Sequence, residues 1–106
     1  MATGKKNVIA GLYDSFAYEK ITVADTAIAL TAATYTPVGA DKAQKAYITV
    51  ETAQIRYRLE GTPTTAEGHL LEIGDILQIT GSDDIAGFKA IRTGATSASI
   101  KVTYSR

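Results

Sequence analysis

Residues 98–105 alternate without a break: Ala98, Ile100, Val102 and Tyr104 are apolar, while Ser99, Lys101, Thr103 and Ser105 are polar. Successive side chains of an extended chain point to opposite faces, so a period of two sorts such a segment into a buried side and a wet side. A helix would scatter the same apolar residues around its whole circumference. The segment is therefore a strand of an antiparallel sheet that faces water on one side.

The same period recurs upstream. Ala46, Ile48 and Val50 oppose Tyr47, Thr49 and Glu51, and Ile55, Tyr57 and Leu59 oppose Arg56, Arg58 and Glu60. The apolar parity switches between these two runs, across Thr52-Ala53-Gln54, which requires a bulge or a tight corner. Ile21 and Val23 switch parity to Ile28 and Leu30 across a corner at Asp25-Thr26. Leu77 and Ile79 follow the Gly74-Asp75 turn signal, residues 88–92 follow Ser82-Asp83-Asp84, and Leu70-Leu71 marks one more short strand. Turn signals return about every 8–12 residues, as in a sandwich or barrel.

The fold class expected is all-β: an antiparallel β-sandwich, immunoglobulin-like or jelly-roll-like, of about seven or eight strands with almost no helix. Its core should hold Ile21, Val23, Ile28, Leu30, Ile48, Val50, Ile55, Tyr57, Leu59, Leu77, Ile79, Phe88, Ile100 and Val102. Thr62 through Gly68 reads as an exposed loop, since strands continue on both sides.

The first 19 residues do not share this order. Ile9, Leu12, Tyr13 and Phe16 lie at helical spacing, but Gly11 interrupts them and an extended arm fits equally well. Tyr13, Phe16 and Tyr18 crowd into a stretch where no strand period places them on a face. The expected organisation is an N-terminal arm over 1–19 and one sandwich domain over 20–106. Ile9, Leu12, Tyr13, Phe16 and Tyr18 are expected to contact a partner, because aromatic and aliphatic anchors mark interfaces.

Eleven Lys and Arg balance eleven Asp and Glu, so no global field draws the chain to nucleic acid or to an anionic membrane. The basic start is broken by Gly11 and Asp14 and lacks the apolar core of a signal peptide. No run approaches the ~20 apolar residues of a membrane span. A protein of the cytosol, or of a particle assembled there, is expected.

The absence of cysteine removes disulfides, thiol nucleophiles and thiolate metal sites, and one histidine rules out multi-histidine sites. His69 could act as a general base with Glu72 or Asp75, but a loop histidine bonded to its neighbours explains it more simply. Asp83-Asp84, with Glu72 and Asp75, could offer oxygen ligands to Ca²⁺, yet the spacing fits no EF-hand loop and adjacent aspartates build Asx turns. No catalytic, metal or cofactor-binding residue is expected, and no enzymatic activity.

Arg56 and Arg58 project from the wet face of an amphipathic strand, and Arg92 could join them. The stripe suits a partner's carboxylates and carbonyls, or else a solvated face paired with Glu51 and Glu60. Both arginines are candidate partner contacts.

Three stretches together carry a family resemblance. They are Ala53-Gln54-Ile55-Arg56-Tyr57-Arg58-Leu59-Glu60-Gly61-Thr62-Pro63-Thr64, then Gly68-His69-Leu70-Leu71-Glu72-Ile73-Gly74-Asp75, then the closing run from Ile85 to Thr96 with Ile100-Lys101-Val102-Thr103-Tyr104. Over residues 21–104 this order of strand, turn and closing strand resembles small proteins encoded among the virion-structure genes of tailed bacteriophages. The resemblance implies a virion component of head decoration or cement type, assembled in the host cytoplasm. Its partners would be the major capsid protein, other virion subunits or further copies of itself. It transfers no active-site residue. The pattern Ile55-x-Tyr57-x-x-x-Gly61-Thr62-x-x-Thr65 is also similar to a strand-turn signature of immunoglobulin-like modules in chitin-active enzymes. Glu60 stands where those modules usually carry Asp, and the chain has no Trp. The alternative function is a carbohydrate-binding or host-recognition module that uses aromatic and Arg side chains.

Overall fold

The computed structural model describes residues 14–106. The strands are β1 (Ser15–Val23), β2 (Ile28–Ala29), β3 (Lys45–Glu51), β4 (Ile55–Arg58), β5 (His69–Leu71), β6 (Ile76–Thr80), β7 (Lys89–Arg92) and β8 (Ala98–Ser105). Two short helices, α1 (Ala32–Tyr35) and α2 (Ser82–Gly87), lie in the connections β2–β3 and β6–β7. The strands form two four-stranded antiparallel sheets, ordered β1-β8-β3-β6 and β2-β7-β4-β5.

The order has a simple origin. Strand β4 pairs with β5, β3 with β6, β2 with β7 and β1 with β8, so the chain is one long antiparallel hairpin with its tip at β4–β5. Successive pairs alternate between sheets, and the contacts β3–β8 and β4–β7 close each sheet. A doubled hairpin wrapped in this way is a jelly roll, the second of the two sandwich types expected.

The parity switches of the sequence are sheet changes. At 52–54 the chain leaves the first sheet and enters the second through a turn in which the Ala53 N–H donates to the Glu51 carbonyl. Thr52 adopts φ +80° there, an uncommon conformation for a β-branched residue. Asp25-Thr26 is the equivalent corner between β1 and β2.

Between the sheets lie Val23, Ile48, Val50, Ile55, Ile79, Phe88, Ile100, Val102 and Tyr104, all buried, with Ile21 and Leu30. Tyr57, Leu59 and Leu77 pack against this cluster while partly exposed. Ile28 departs from expectation and is 39% exposed, because β2 is a two-residue edge strand with no neighbour on its outer flank. Ile85 is a core residue that the reading of 82–84 as a plain turn left out; it reaches the interior from α2. Gly87, the last residue of that helix, lies directly against the Leu59 carbonyl.

Residues 15–19, expected in the arm, instead form the first half of β1. The register of β1 on β8 slips between Ser15 and Ala17, so Phe16 is the extra residue of a bulge. Beyond it Ala17, Glu19, Ile21 and Val23 oppose the buried positions Tyr104, Val102, Ile100 and Ala98. Glu19 thus faces inward on an edge strand. Its carboxylate accepts the Tyr104 hydroxyl at 2.5 Å and the Thr31 N–H at 3.2 Å. Burial, followed by the hydrogen bond to Glu19, pushes the Tyr104 phenol above its ordinary pKa.

Candidate partner-contact surfaces

Ile9, Leu12 and Tyr13 lie outside the described residues. Of the other four candidates, Tyr18 lies on the outer face of the first sheet and Arg56 and Arg58 on that of the second, while Phe16 packs against the core. Phe16 is half-buried at the bulge, with the Arg106 guanidinium stacked 4.0 Å from its ring centre. Tyr18 stands on the outer face of the first sheet and is 59% exposed. The registers align it in a row Tyr18–Thr103–Tyr47–Gln78 across all four strands. Tyr47 is 43% exposed, so two tyrosines flank one threonine, roughly 10 Å apart at ordinary strand spacing. The next row is Lys20–Lys101–Thr49–Ile76, with Ile76 also exposed. The alternation of 46–51 places Tyr47 on the wet face without marking it as a contact. The usable signal was an aromatic ring at a position whose parity faces solvent.

Arg56 and Arg58 lie on the outer face of the second sheet, and the structure separates their roles. Arg56 donates from Nε to the Thr65 carbonyl at 3.1 Å and from Nη1 to the Gly68 carbonyl at 2.9 Å. It braces the 59–68 connection against β4. That connection is built rather than loose: Pro63 is fully buried, and the Thr64 hydroxyl accepts the N–H groups of Ala66 and Glu67. Arg58 makes no such bond. Arg92 falls on the other parity, opposite Ile55, and donates to the Ser97 hydroxyl. Glu51 does not serve the arginines; it pairs with Lys101 at 2.9 Å, and this hydrogen bond holds the ammonium above its ordinary pKa.

His69 lies at the exposed end of β5 with its ring 5.3 Å from Tyr57. Neither acid proposed for it is bonded to it. Glu72 accepts from the Gln54 amide, and Asp75 accepts from the Glu72 N–H. Asp83 and Asp84 occupy the first turn of α2 rather than an Asx turn. Among the described residues no three His, Cys, Asp or Glu side chains gather as a metal site. No helix of these residues is long and apolar enough to cross a membrane. A shallow groove beside Arg106 is lined by Asp14, Asp41, Lys42, Gln44 and Arg106. Comparison with protein-family models, curated proteins and solved structures gives no match.

Proposed function

We propose that the chain is a non-enzymatic structural protein that docks onto a larger assembly, as a decoration or cement subunit of a tailed-phage head. The observation that carries the docking role is the row Tyr18–Thr103–Tyr47 on the outer face of the first sheet. Two exposed rings on a rigid four-stranded sheet offer large contact area at low entropic cost. Ile9, Leu12 and Tyr13 precede the strand that bears Tyr18, so the proposed contact extends from this face into the N-terminal segment. The virion setting rests on the resemblance of residues 21–104, with which the jelly roll agrees, since that architecture recurs in capsid proteins. The fold recurs in lectins too and does not set function by itself.

The test is binding to purified heads. Tyr18→Ala with Tyr47→Ala should weaken co-sedimentation about tenfold or more, as for interface anchors, without shifting the unfolding midpoint. A chain starting at Asp14 keeps β1 whole and should fold while losing the same binding. Full binding by both variants would defeat the reading.

The tyrosine pair also fits a second reading, a glycan platform on which sugar rings stack. Retention on a glycan array, lost in the same double variant and accompanied by no affinity for heads, would establish that reading instead.

A further inference from the structure

The two sheets each carry a pair of cations directly opposed across an antiparallel ladder. On the first sheet Lys20 faces Lys101. On the second Arg58 faces Lys89. Like charges at such positions repel, and a sheet keeps them only where something offsets the repulsion. For Lys101 the offset is visible, since Glu51 meets it at 2.9 Å. Arg58 and Lys89 have no such neighbour: no described acid forms an ion pair with either. The Lys89 ammonium reaches only the Thr62 hydroxyl, at 3.3 Å.

The surroundings of this pair are shaped. Arg58 is half-buried, and the 59–68 connection folds over it. Gly61 adopts φ +85°, and a β-carbon there would come within 3.1 Å of the Arg58 guanidinium. The positive φ favours glycine at this position, and the missing side chain leaves the guanidinium room beside the backbone. Arg56, one step along the same face, fixes the far side of the connection through Thr65 and Gly68. The ladder pairs Arg58 with Lys89, the Lys89 ammonium bonds the Thr62 hydroxyl, and the guanidinium lies beside Gly61, the residue before Thr62; no acid among the described residues forms an ion pair with either cation.

We propose that Arg58, Lys89 and Thr62 form an oxyanion-binding site for a carboxylate. The guanidinium fork matches the two oxygens of a carboxylate, the ammonium supplies a second charge-assisted bond, and the Thr62 hydroxyl donates a third. The site lies on the face opposite Tyr18 and Tyr47 and does not depend on the docking role proposed above. A free carboxylate and a partner's Asp or Glu side chain carry the same chemistry.

The experiment is an amide and arginine side-chain NMR titration of the whole chain. The probes are sodium acetate and a short acetylated peptide ending in Glu amide, each against sodium chloride at matched ionic strength. Acetate should produce saturable shifts at Gly61, Thr62, Lys89 and the Arg58 Nε–H, and chloride should not. Tighter saturation by the peptide assigns the site to a partner's side chain, and equal or weaker saturation assigns it to a free carboxylate; both support the site. Arg58→Gln and Lys89→Gln should each weaken acetate binding about tenfold or more, the loss of one charge-assisted bond. Lys20→Gln should leave it unchanged. Lys89→Gln serves if Arg58→Gln fails to fold. Acetate and inorganic phosphate titrations both indistinguishable from chloride, or acetate shifts that survive Lys89→Gln, would overturn the site. Saturation by inorganic phosphate but not by acetate would overturn its assignment to carboxylate.

Discussion

Replacing Gly87 by alanine sets two effects against each other. Gly87 is the last residue of α2 and carries no positive φ, so nothing in its backbone forbids a side chain. In isolation, alanine would favour the helical conformation by up to about 1 kcal/mol. The tertiary structure reverses the sign. A methyl carbon at this position would lie 3.2 Å from the Leu59 carbonyl carbon and much closer still to its oxygen. That is roughly 1 Å inside the ~3.3 Å at which carbon and carbonyl oxygen ordinarily meet. The obstructing atom is backbone, so no side-chain rotation relieves it. Either α2 lifts from the sandwich, disturbing Ile85 and Phe88, or the end of β4 moves. Overpacking of this kind costs about 1–3 kcal/mol, so the net expectation is a loss of about 1–2 kcal/mol. Urea unfolding followed by tyrosine fluorescence reads it directly, and the thermal midpoint should fall by about 4–8 °C per kcal/mol. Gly94→Ala is the control. Nothing lies within 4 Å of a methyl group there, so its midpoint should stay put or rise slightly. A Gly87→Ala protein as stable as the parent would refute the close approach of α2 to Leu59.

Two further outcomes follow from the core. Ile100→Ala or Val102→Ala should each cost about 2–4 kcal/mol in the same assay, because both are fully buried and leave cavities; losses below about 1 kcal/mol at both would mean the inward face of β8 is misassigned. Tyr104 has a raised pKa in the folded state, so its contribution is complete below the ordinary phenol value of ~10 and is lost as pH rises above it. Stability measured from pH 8 to pH 12 should therefore fall more steeply for the parent than for Tyr104→Phe, and parallel curves would refute the role of that phenol.

Much of the fold was legible, and the exceptions have physical reasons. The alternation in 98–105 and 46–51 reads correctly because each of these strands has one wet face and one buried face. Parity switches at 52–54 and 25–26 announced corners, but which sheet a strand joins after a corner depends on partners distant in sequence. Residues 15–19 were hidden by the bulge at Phe16, which breaks the period, and by Glu19, a charge at an inward position. Its reason is the Tyr104 hydroxyl, which no local pattern reveals. Two aspartates disguised the start of α2 and so concealed Ile85. On the candidate surfaces, the sequence marked both arginines but could not divide their work. The carbonyls that occupy Arg56 belong to a loop whose path is set by Pro63 and Gly68, whereas Arg58 and Lys89 become neighbours only through the β4–β7 register.

The doubled hairpin also governs how quickly the chain can find its fold. Its tip, β4–β5, closes across residues 59–68, but Ser15 and Ser105 meet across 90 residues of chain. Topologies dominated by such distant pairings fold on the order of milliseconds to seconds, because closure entropy is spent before the contacts repay it. Were β1 the last strand to pair, β8 would be the outermost strand of the β8-β3-β6 part of the first sheet, open to a second chain's β1 as well as its own. High protein concentration during refolding should therefore favour exchange of β1 between chains, and dilution the closed monomer.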